Sequence, residues 1–182
     1  MRALNLIEVI PQTKRLCVKH VVVMGVSGCG KSTVGRLMAQ QLGLVLIEGD
    51  SFHPASNILK MQNGVPLTDE DRVEWLRTLG TELASHPNGV VLTCSALKKS
   101  YRDGLRQAVP SLYFVHLAIT EAQALQRVSQ RLDHFYPANL VASQFAALQD
   151  PSEEPGVLTL AGDATLIEIA HQAVAWLEPD LK

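Results

Sequence analysis

Residues 24–33 carry glycine, lysine and hydroxyl side chains at a spacing suited to a phosphate group. The stretch reads Met-Gly-Val-Ser-Gly-Cys-Gly-Lys-Ser-Thr, and a β-branched run at 21–23 precedes it. Glycines let consecutive backbone N–H groups approach phosphate oxygens, a lysine adds charge for the β- and γ-phosphates, and a serine hydroxyl suits Mg²⁺. We therefore predict a nucleotide-phosphate and Mg²⁺ site. Its members are Gly25, Val26, Ser27, Gly28, Cys29, Gly30, Lys31, Ser32 and Thr33.

Two carboxylates follow the next apolar run, at Glu48 and Asp50. Open parallel sheets bind ligands at the carboxyl ends of their strands, so both side chains are expected near the phosphate loop. Asp50 is the candidate to accept or orient the proton of an attacking hydroxyl; a helix-capping or solvated aspartate is the alternative. Glu48 is expected to support the waters of Mg²⁺, with a purely structural role as its alternative.

Apolar runs at 20–24, 44–47, 90–93, 112–117 and 157–160 alternate with helical patterns along the chain. This alternation predicts an α/β three-layer sandwich with a five-stranded parallel sheet. We expect a single domain over 20–182, preceded by an extension at 1–19. The segment 51–66 contains two prolines and no sustained periodicity, and is interpreted as a substrate-covering excursion. Trp75 and Trp176 lie at apolar helical positions and are predicted to be core residues.

The composition narrows the classes of partner and compartment. The chain has 182 residues, a net charge of −2 and a pI near 6.3, so nothing indicates a nucleic-acid surface. No apolar run approaches the roughly 18 residues of a membrane span. Three scattered cysteines favour a reducing cytoplasm. Cys29 lies between two glycines at a helix start, where a reactive thiolate is one hypothesis and an inert, inward-pointing thiol the other.

Further motifs occur through residues 20–160 in a characteristic order. They are Gly49-Asp50-Ser51-Phe52-His53-Pro54, Asn57, Lys60-Met61, Gly64-Val65-Pro66-Leu67, Asp69, Asp71-Arg72, Trp75-Leu76, Cys94-Ser95-Ala96-Leu97-Lys98, Tyr101-Arg102-Asp103, Leu105-Arg106, Arg127, Arg131, His134-Phe135, Ser143-Gln144-Phe145, Leu148 and Pro151. With the phosphate loop, this set resembles the gluconate kinases, a family of P-loop small-molecule kinases. The family usually has Asp-Gly-Asp where this chain has Glu48-Gly49-Asp50, which lengthens the first carboxylate by one methylene.

The resemblance implies a P-loop NTPase fold of the nucleoside-monophosphate and shikimate kinase type, with a mobile lid that bends at 133–137. It implies ATP and Mg²⁺ as cofactors, D-gluconate as the small-molecule substrate, and a homodimer. The implied catalytic residues are Lys31, Asp50 and Arg131. The implied substrate ligands are Asp50, His53, Lys60, Arg72, Lys98, Arg102 and His134.

These cations include two pairs whose members are four residues apart in the sequence. Lys98 and Arg102 are expected to project from one helix face toward the substrate carboxylate. Arg127 and Arg131 are expected to face the nucleotide and its phosphates. For every one of these cations, a solvated surface charge is the alternative.

Two other functions stay open beside gluconate phosphorylation. One is a kinase for another small sugar acid or a shikimate-like acceptor. The other is a nucleotide-gated switch, but a GTP-binding module would carry an Asn-Lys-x-Asp motif, and this sequence has none.

Overall fold

Five short runs rich in valine, leucine and isoleucine become the strands of one parallel sheet. The computed structural model describes residues 19–130 and 139–177. The strands are β1 (His20–Met24), β2 (Val45–Glu48), β3 (Val90–Thr93), β4 (Leu112–Ala118) and β5 (Val157–Ala161). They are arranged in the order β2-β3-β1-β4-β5, and every neighbouring pair is parallel. The predicted five-stranded parallel sheet is therefore confirmed, with strand ends within one residue of the expected positions.

Helices cover both faces of this sheet, as its buried strands require. They are α1 (Lys31–Leu42), α2 (Ala55–Gln62), α3 (Asp69–Ala84), α4 (Lys99–Ala108), α5 (Glu121–Ser129), α6 (Asn139–Ala147) and α7 (Leu166–Leu177). Because successive side chains of a strand point to opposite faces, Val21 and Val23 pack in one core cluster with α1 and α7. Val22 and Met24 pack in the other with α3 and α4. This confirms the three-layer sandwich.

The register of the strands brings the candidate chemistry to one edge. Val23 of β1 and Glu48 of β2 both pair with Thr93 of β3. The phosphate loop after β1, the carboxylates at the end of β2 and just beyond it, and Ser95 after β3 therefore lie side by side. This is the carboxyl edge at which open α/β sheets bind their ligands.

The substrate-covering segment has more regular structure than its sequence predicted. A 3₁₀ helix spans Gly49–Phe52, and α2 follows it. The eight residues of α2 are too few for a clear helical period, and two side-chain contacts connect this helix to α3. Asn57 donates a hydrogen bond to the carbonyl of Asp71 at 2.7 Å, and Lys60 pairs with the Asp71 carboxylate at 2.6 Å.

Lys19, the last residue of the predicted extension, contacts the sheet. Lys19 is buried, and its carbonyl accepts a hydrogen bond from the backbone N–H of Val90 at 3.1 Å. The rest of the predicted extension and the predicted lid bend at 133–137 lie outside the described residues. Within the described ranges, none of the helices combines the length and apolar character needed to cross a membrane.

Candidate active site

The phosphate loop connects β1 to α1 through three glycines with positive φ. Gly25, Gly28 and Gly30 have φ values of 136°, 84° and 101°, and Gly30 is the N-cap residue that directly precedes α1. These conformations are strained for other residues, so the spacing of the glycines creates the loop shape. Lys31 follows at once, and its ammonium donates to the carbonyls of Gly25 and Val26, each at 3.1 Å. The lysine therefore lies over the loop whose backbone it would assist in binding phosphate.

Cys29 does not face this site. Its side chain is 1 % exposed and belongs to the core cluster that contains Val26, Val34 and Leu97. This burial supports the alternative of an inward-pointing thiol and counts against the hypothesis of a reactive thiolate at the phosphate site.

A small oxygen-rich group suited to Mg²⁺ lies beside the loop. The Ser32 hydroxyl donates to Glu48 Oε2 at 3.0 Å, and Thr93 Oγ1 donates to the same oxygen at 2.6 Å. Among the described residues, no three His, Cys, Asp or Glu side chains are grouped to hold a metal by themselves. That donor set fits Mg²⁺, which keeps several waters and takes few protein ligands. Ser32 would contact the ion, and Glu48 would orient its waters.

A cavity of about 240 Å³ opens next to the phosphate loop. Its lining includes Lys31 from α1, Asp50 and His53 from the turn after β2, and Arg72 from α3. The exposed carboxylate of Asp50 and the ammonium of Lys31 thus line the same open cavity. An acceptor hydroxyl bound there could contact the carboxylate of Asp50, and a phosphate could contact the ammonium of Lys31.

His53 enters this cavity in a defined orientation. Its ring stacks on the indole of Trp75, with 4.2 Å between ring centroids and 16° between planes. Burial lowers the pKa of His53 below its ordinary value; the Asp50 carboxylate opposes this change and the Arg72 guanidinium adds to it. A lowered pKa favours the neutral imidazole, which can both donate and accept a hydrogen bond.

Arg72 is the predicted substrate ligand that brings a guanidinium to the cavity. It lies in the first turn of α3 and donates to the carbonyls of Leu67 and Thr68 through one nitrogen, Nη1. Because a guanidinium carries five N–H donors, these two bonds leave further donors for a ligand. Among the described lysines and arginines, Arg72 and Lys31 line this cavity.

Arg102 does not line the cavity, and its predicted role as a substrate ligand is wrong. Its side chain is 0 % exposed. The guanidinium forms an ion pair with Glu154 and donates to the carbonyls of Ala96, Leu97 and Gln149 at 2.9–3.1 Å. Every face of the group is used within the protein, so Arg102 holds loops together.

Lys60 and Lys98 are also engaged with carboxylates and do not line the cavity. Lys60 pairs with Asp71, and Lys98 pairs with Asp69 at 2.6 Å. Lys98 precedes the first residue of α4, so the predicted helical face shared with Arg102 does not exist. Lys98 lines a neighbouring, more open pocket together with Arg72.

The described residues include part of the expected nucleotide-binding site. α5 packs on the phosphate loop, since a Cβ at Gly28 would lie 3.1 Å from the carbonyl of Ala124. Arg127 on this helix donates to the carbonyl of Gly162 at 2.9 Å. Arg131 and His134, predicted as nucleotide and substrate ligands, lie outside the described residues.

Several cavity residues were not assigned a role from the sequence. Ser95 lines the cavity from the loop after β3, and Ser143 and Gln144 line it from α6. Gln144 Oε1 accepts a hydrogen bond from the backbone N–H of Ser27 at 2.6 Å, across 117 positions of the chain. Trp75 is 1 % exposed, as predicted for a core residue, but it also lines the cavity. All four residues belong to the motifs that this sequence shares with the gluconate kinases, and those motifs were the sequence signal that could have identified them.

Comparisons with known proteins agree with this geometry. Residues 21–155 match a family described as an AAA domain. The gluconokinase of Gluconobacter oxydans is 43 % identical over 148 residues, which are 80 % of this chain and 83 % of that protein. A crystal structure of a gluconokinase from Sinorhizobium meliloti superposes with a TM-score of 0.82 at 43 % identity, over 90 % of this chain and 95 % of that one.

A more distant similarity bears on the fold alone. A shikimate kinase from Acinetobacter baumannii has 17 % identity and a TM-score of 0.62, over 91 % of this chain and 96 % of that one. A parallel sheet of this order with a phosphate loop after its central strand is a P-loop fold of the type seen in that shikimate kinase. Within that class, the identity over most of both chains decides the family. The chain belongs to the gluconokinases.

Proposed function

We propose that this enzyme transfers the γ-phosphoryl group of ATP to the terminal hydroxyl of D-gluconate, giving 6-phospho-D-gluconate and ADP. The observation that carries the proposal is the cavity in which Asp50, Lys31 and Arg72 meet beside the phosphate loop. It offers a carboxylate for a hydroxyl, a cation for phosphate and a cation for a carboxylate. The relatives named gluconokinase supply the particular acceptor.

Asp50 is proposed to receive the proton of the attacking hydroxyl. The hydroxyl oxygen forms a bond to the γ-phosphorus, the bond to the β–γ bridging oxygen breaks, and ADP leaves with that electron pair. Phosphoryl transfer depends mainly on alignment and on neutralising charge, so proton transfer late in the step is sufficient. The exposed position of Asp50 at the start of the 3₁₀ turn lets a substrate reach it.

The remaining residues are proposed to bind and to orient. Lys31 holds the β- and γ-phosphates against the loop, where backbone N–H groups and the start of α1 attract negative charge. Arg72 binds the gluconate carboxylate, and His53 exchanges hydrogen bonds with its hydroxyls. Ser32 would contact Mg²⁺ and Glu48 would orient the waters of the ion, which would neutralise charge on the phosphate oxygens.

Two experiments test the proposal. ADP release is measured with ATP, Mg²⁺ and a panel of acceptors that includes D-gluconate, a uronate and shikimate. D-Gluconate should give the highest kcat/KM, and a preference for another acid would assign a different acceptor to the same site. ATP hydrolysis or binding without transfer to any acceptor would favour a nucleotide switch.

The second experiment replaces Asp50 with Asn, which keeps the size of the side chain and removes its charge. kcat should fall by about 10²- to 10⁴-fold, the usual contribution of general-base catalysis, while ATP binding changes little. Asp103→Asn is the matched control, because Asp103 lies on α4 and pairs with Lys99 outside the cavity. An Asp50→Asn enzyme as active as this control would exclude Asp50 as the base.

The resemblance supports two further proposals: that the enzyme forms a homodimer and that it works in the cytoplasm. Light scattering of the purified protein measures the first. Fractionation of the source cells measures the second.

A further inference from the structure

Trp75 makes contacts beyond those of a residue that only fills the core. Its side chain is 1 % exposed and lies among the apolar residues between the sheet and α3, yet one part of the ring lines the active-site cavity. A buried indole N–H must find an acceptor, because leaving it unpaired is costly. The acceptor that it finds, and the ring that it stacks on, both belong to the turn that carries Asp50.

The indole N–H fixes the peptide group next to Asp50. Trp75 Nε1 donates to the carbonyl of Gly49 at 2.8 Å, across 26 positions of the chain. That carbonyl and the N–H of Asp50 belong to the same planar peptide unit, so orienting one orients the other. Gly49 is also pressed against β3, since a Cβ there would lie 2.3 Å from the carbonyl of Thr93. The backbone that presents Asp50 is therefore held from two sides.

The face of the same indole fixes His53. The two rings are nearly parallel at 4.2 Å, so the edge of the imidazole points away from the indole. One edge atom, Nδ1, lies 3.5 Å from the Asn57 amide nitrogen. The 3₁₀ turn is closed by a hydrogen bond from the N–H of His53 to the carbonyl of Asp50 at 3.4 Å. One buried ring thus contacts both ends of the 49–53 turn.

We infer that Trp75 is a positioning residue for the acceptor side of the reaction, which orients the Asp50 peptide through its N–H and the His53 ring through its face. The inference rests on the proposed function for the roles of Asp50 and His53. The two contacts can be separated, because phenylalanine retains a ring face and lacks the N–H. A residue that merely filled the core would not distinguish these substitutions in kinetics.

The kinetic test compares Trp75→Phe with Trp75→Leu. Trp75→Phe should lower kcat about tenfold, as expected for loss of a buried hydrogen bond, and leave the gluconate KM within about twofold of the wild type. Trp75→Leu should lower kcat similarly and also raise the gluconate KM, because His53 loses its stacking partner. Leu83→Ala is the control: Leu83 is fully buried on α3 outside the cavity lining, so it should lower the melting temperature and leave kcat unchanged. A Trp75→Phe enzyme with wild-type kcat would overturn the inference.

A spectroscopic test does not depend on activity or on a variant at position 75. The chain has two tryptophans, so Trp176→Phe leaves Trp75 as the single indole. An imidazolium stacked on an indole quenches its fluorescence, so emission should fall as His53 takes up a proton. The groups that face His53 are Asp50 from the turn and Arg72 from α3. The midpoint should lie below 6.5, the ordinary histidine value.

His53→Gln in the single-tryptophan protein should remove this transition. A transition that persists in His53→Gln, or no transition in the parent, would overturn the stacking half of the inference. Failure of the proposed function would give a different result. The wild-type enzyme would then transfer no phosphoryl group to gluconate, while the single-tryptophan protein would still show the fluorescence transition.

Discussion

Replacing Arg102 with methionine tests whether this arginine holds the structure together or binds substrate. The substitution keeps most of the volume of the side chain and removes its charge and its five donors. Arg102 is 0 % exposed and Glu154 is 10 % exposed, so the carboxylate would lose its main partner in a nearly dry environment. Three backbone carbonyls, of Ala96, Leu97 and Gln149, would lose a donor at the same time.

The size of the effect follows from these contacts. Removing one partner of a buried ion pair destabilises proteins by about 3–5 kcal/mol. Glu154 keeps a second partner in Arg106, at 2.7 Å, so the lower half of that range is expected. For a domain of this size each kcal/mol shifts the melting temperature by about 2–4 °C, which predicts a decrease of roughly 6–16 °C.

Thermal melting followed by circular dichroism measures the decrease, and urea denaturation gives the free energy of unfolding. Arg77→Ala is the control, because Arg77 forms an exposed ion pair with Glu74 and should change stability by less than about 1 kcal/mol. If Arg102→Met melted like the wild type and instead raised the gluconate KM, the arginine would be a substrate ligand and the structural reasoning would be wrong.

Two further substitutions separate the acceptor side of the cavity from the phosphate side. Arg72→Ala should raise the gluconate KM roughly 10- to 100-fold in steady-state kinetics, because a charge-assisted contact to the carboxylate is lost; Lys98→Ala, which removes a cation already paired with Asp69, should change it little. An equal increase in both would contradict the assignment of Arg72. Lys31→Ala should lower kcat by at least about 10²-fold, while calorimetry still detects gluconate binding, since the lysine acts on the phosphates. Retained turnover would contradict this role.

Acid should weaken the ion pair between Arg102 and Glu154. Burial alone would raise the pKa of Glu154, but hydrogen bonds from Arg102 and Arg106 outweigh burial, and the pKa is lowered. A carboxyl with a lowered pKa in the folded protein contributes stability above its ordinary pKa and loses it as the pH falls. The stability difference between the wild type and Arg102→Met should therefore shrink in acid, which repeating the melts at decreasing pH would measure.

The phosphate loop and the layered fold could be predicted from sequence because their determinants are local. Glycine spacing dictates where the backbone adopts positive φ, apolar runs predict buried strands, and Thr68 caps α3 through a hydrogen bond from the N–H of Asp71. These effects act within a few residues of the chain. The strand order then placed Glu48 and Asp50 near the loop, as the rule for parallel sheets predicts.

The partners of the charged side chains depended on the tertiary structure. The resemblance favoured Arg102 over Arg72 as the cation for the substrate carboxylate, but Arg72 lines the cavity and Arg102 is buried against Glu154, 52 residues away. Trp75 was correctly predicted to be buried, yet its contacts with Gly49 and His53 arise only when the turn packs on α3. Local patterns predict which residues are buried or helical, whereas the atoms that each polar group contacts are decided by how distant segments pack.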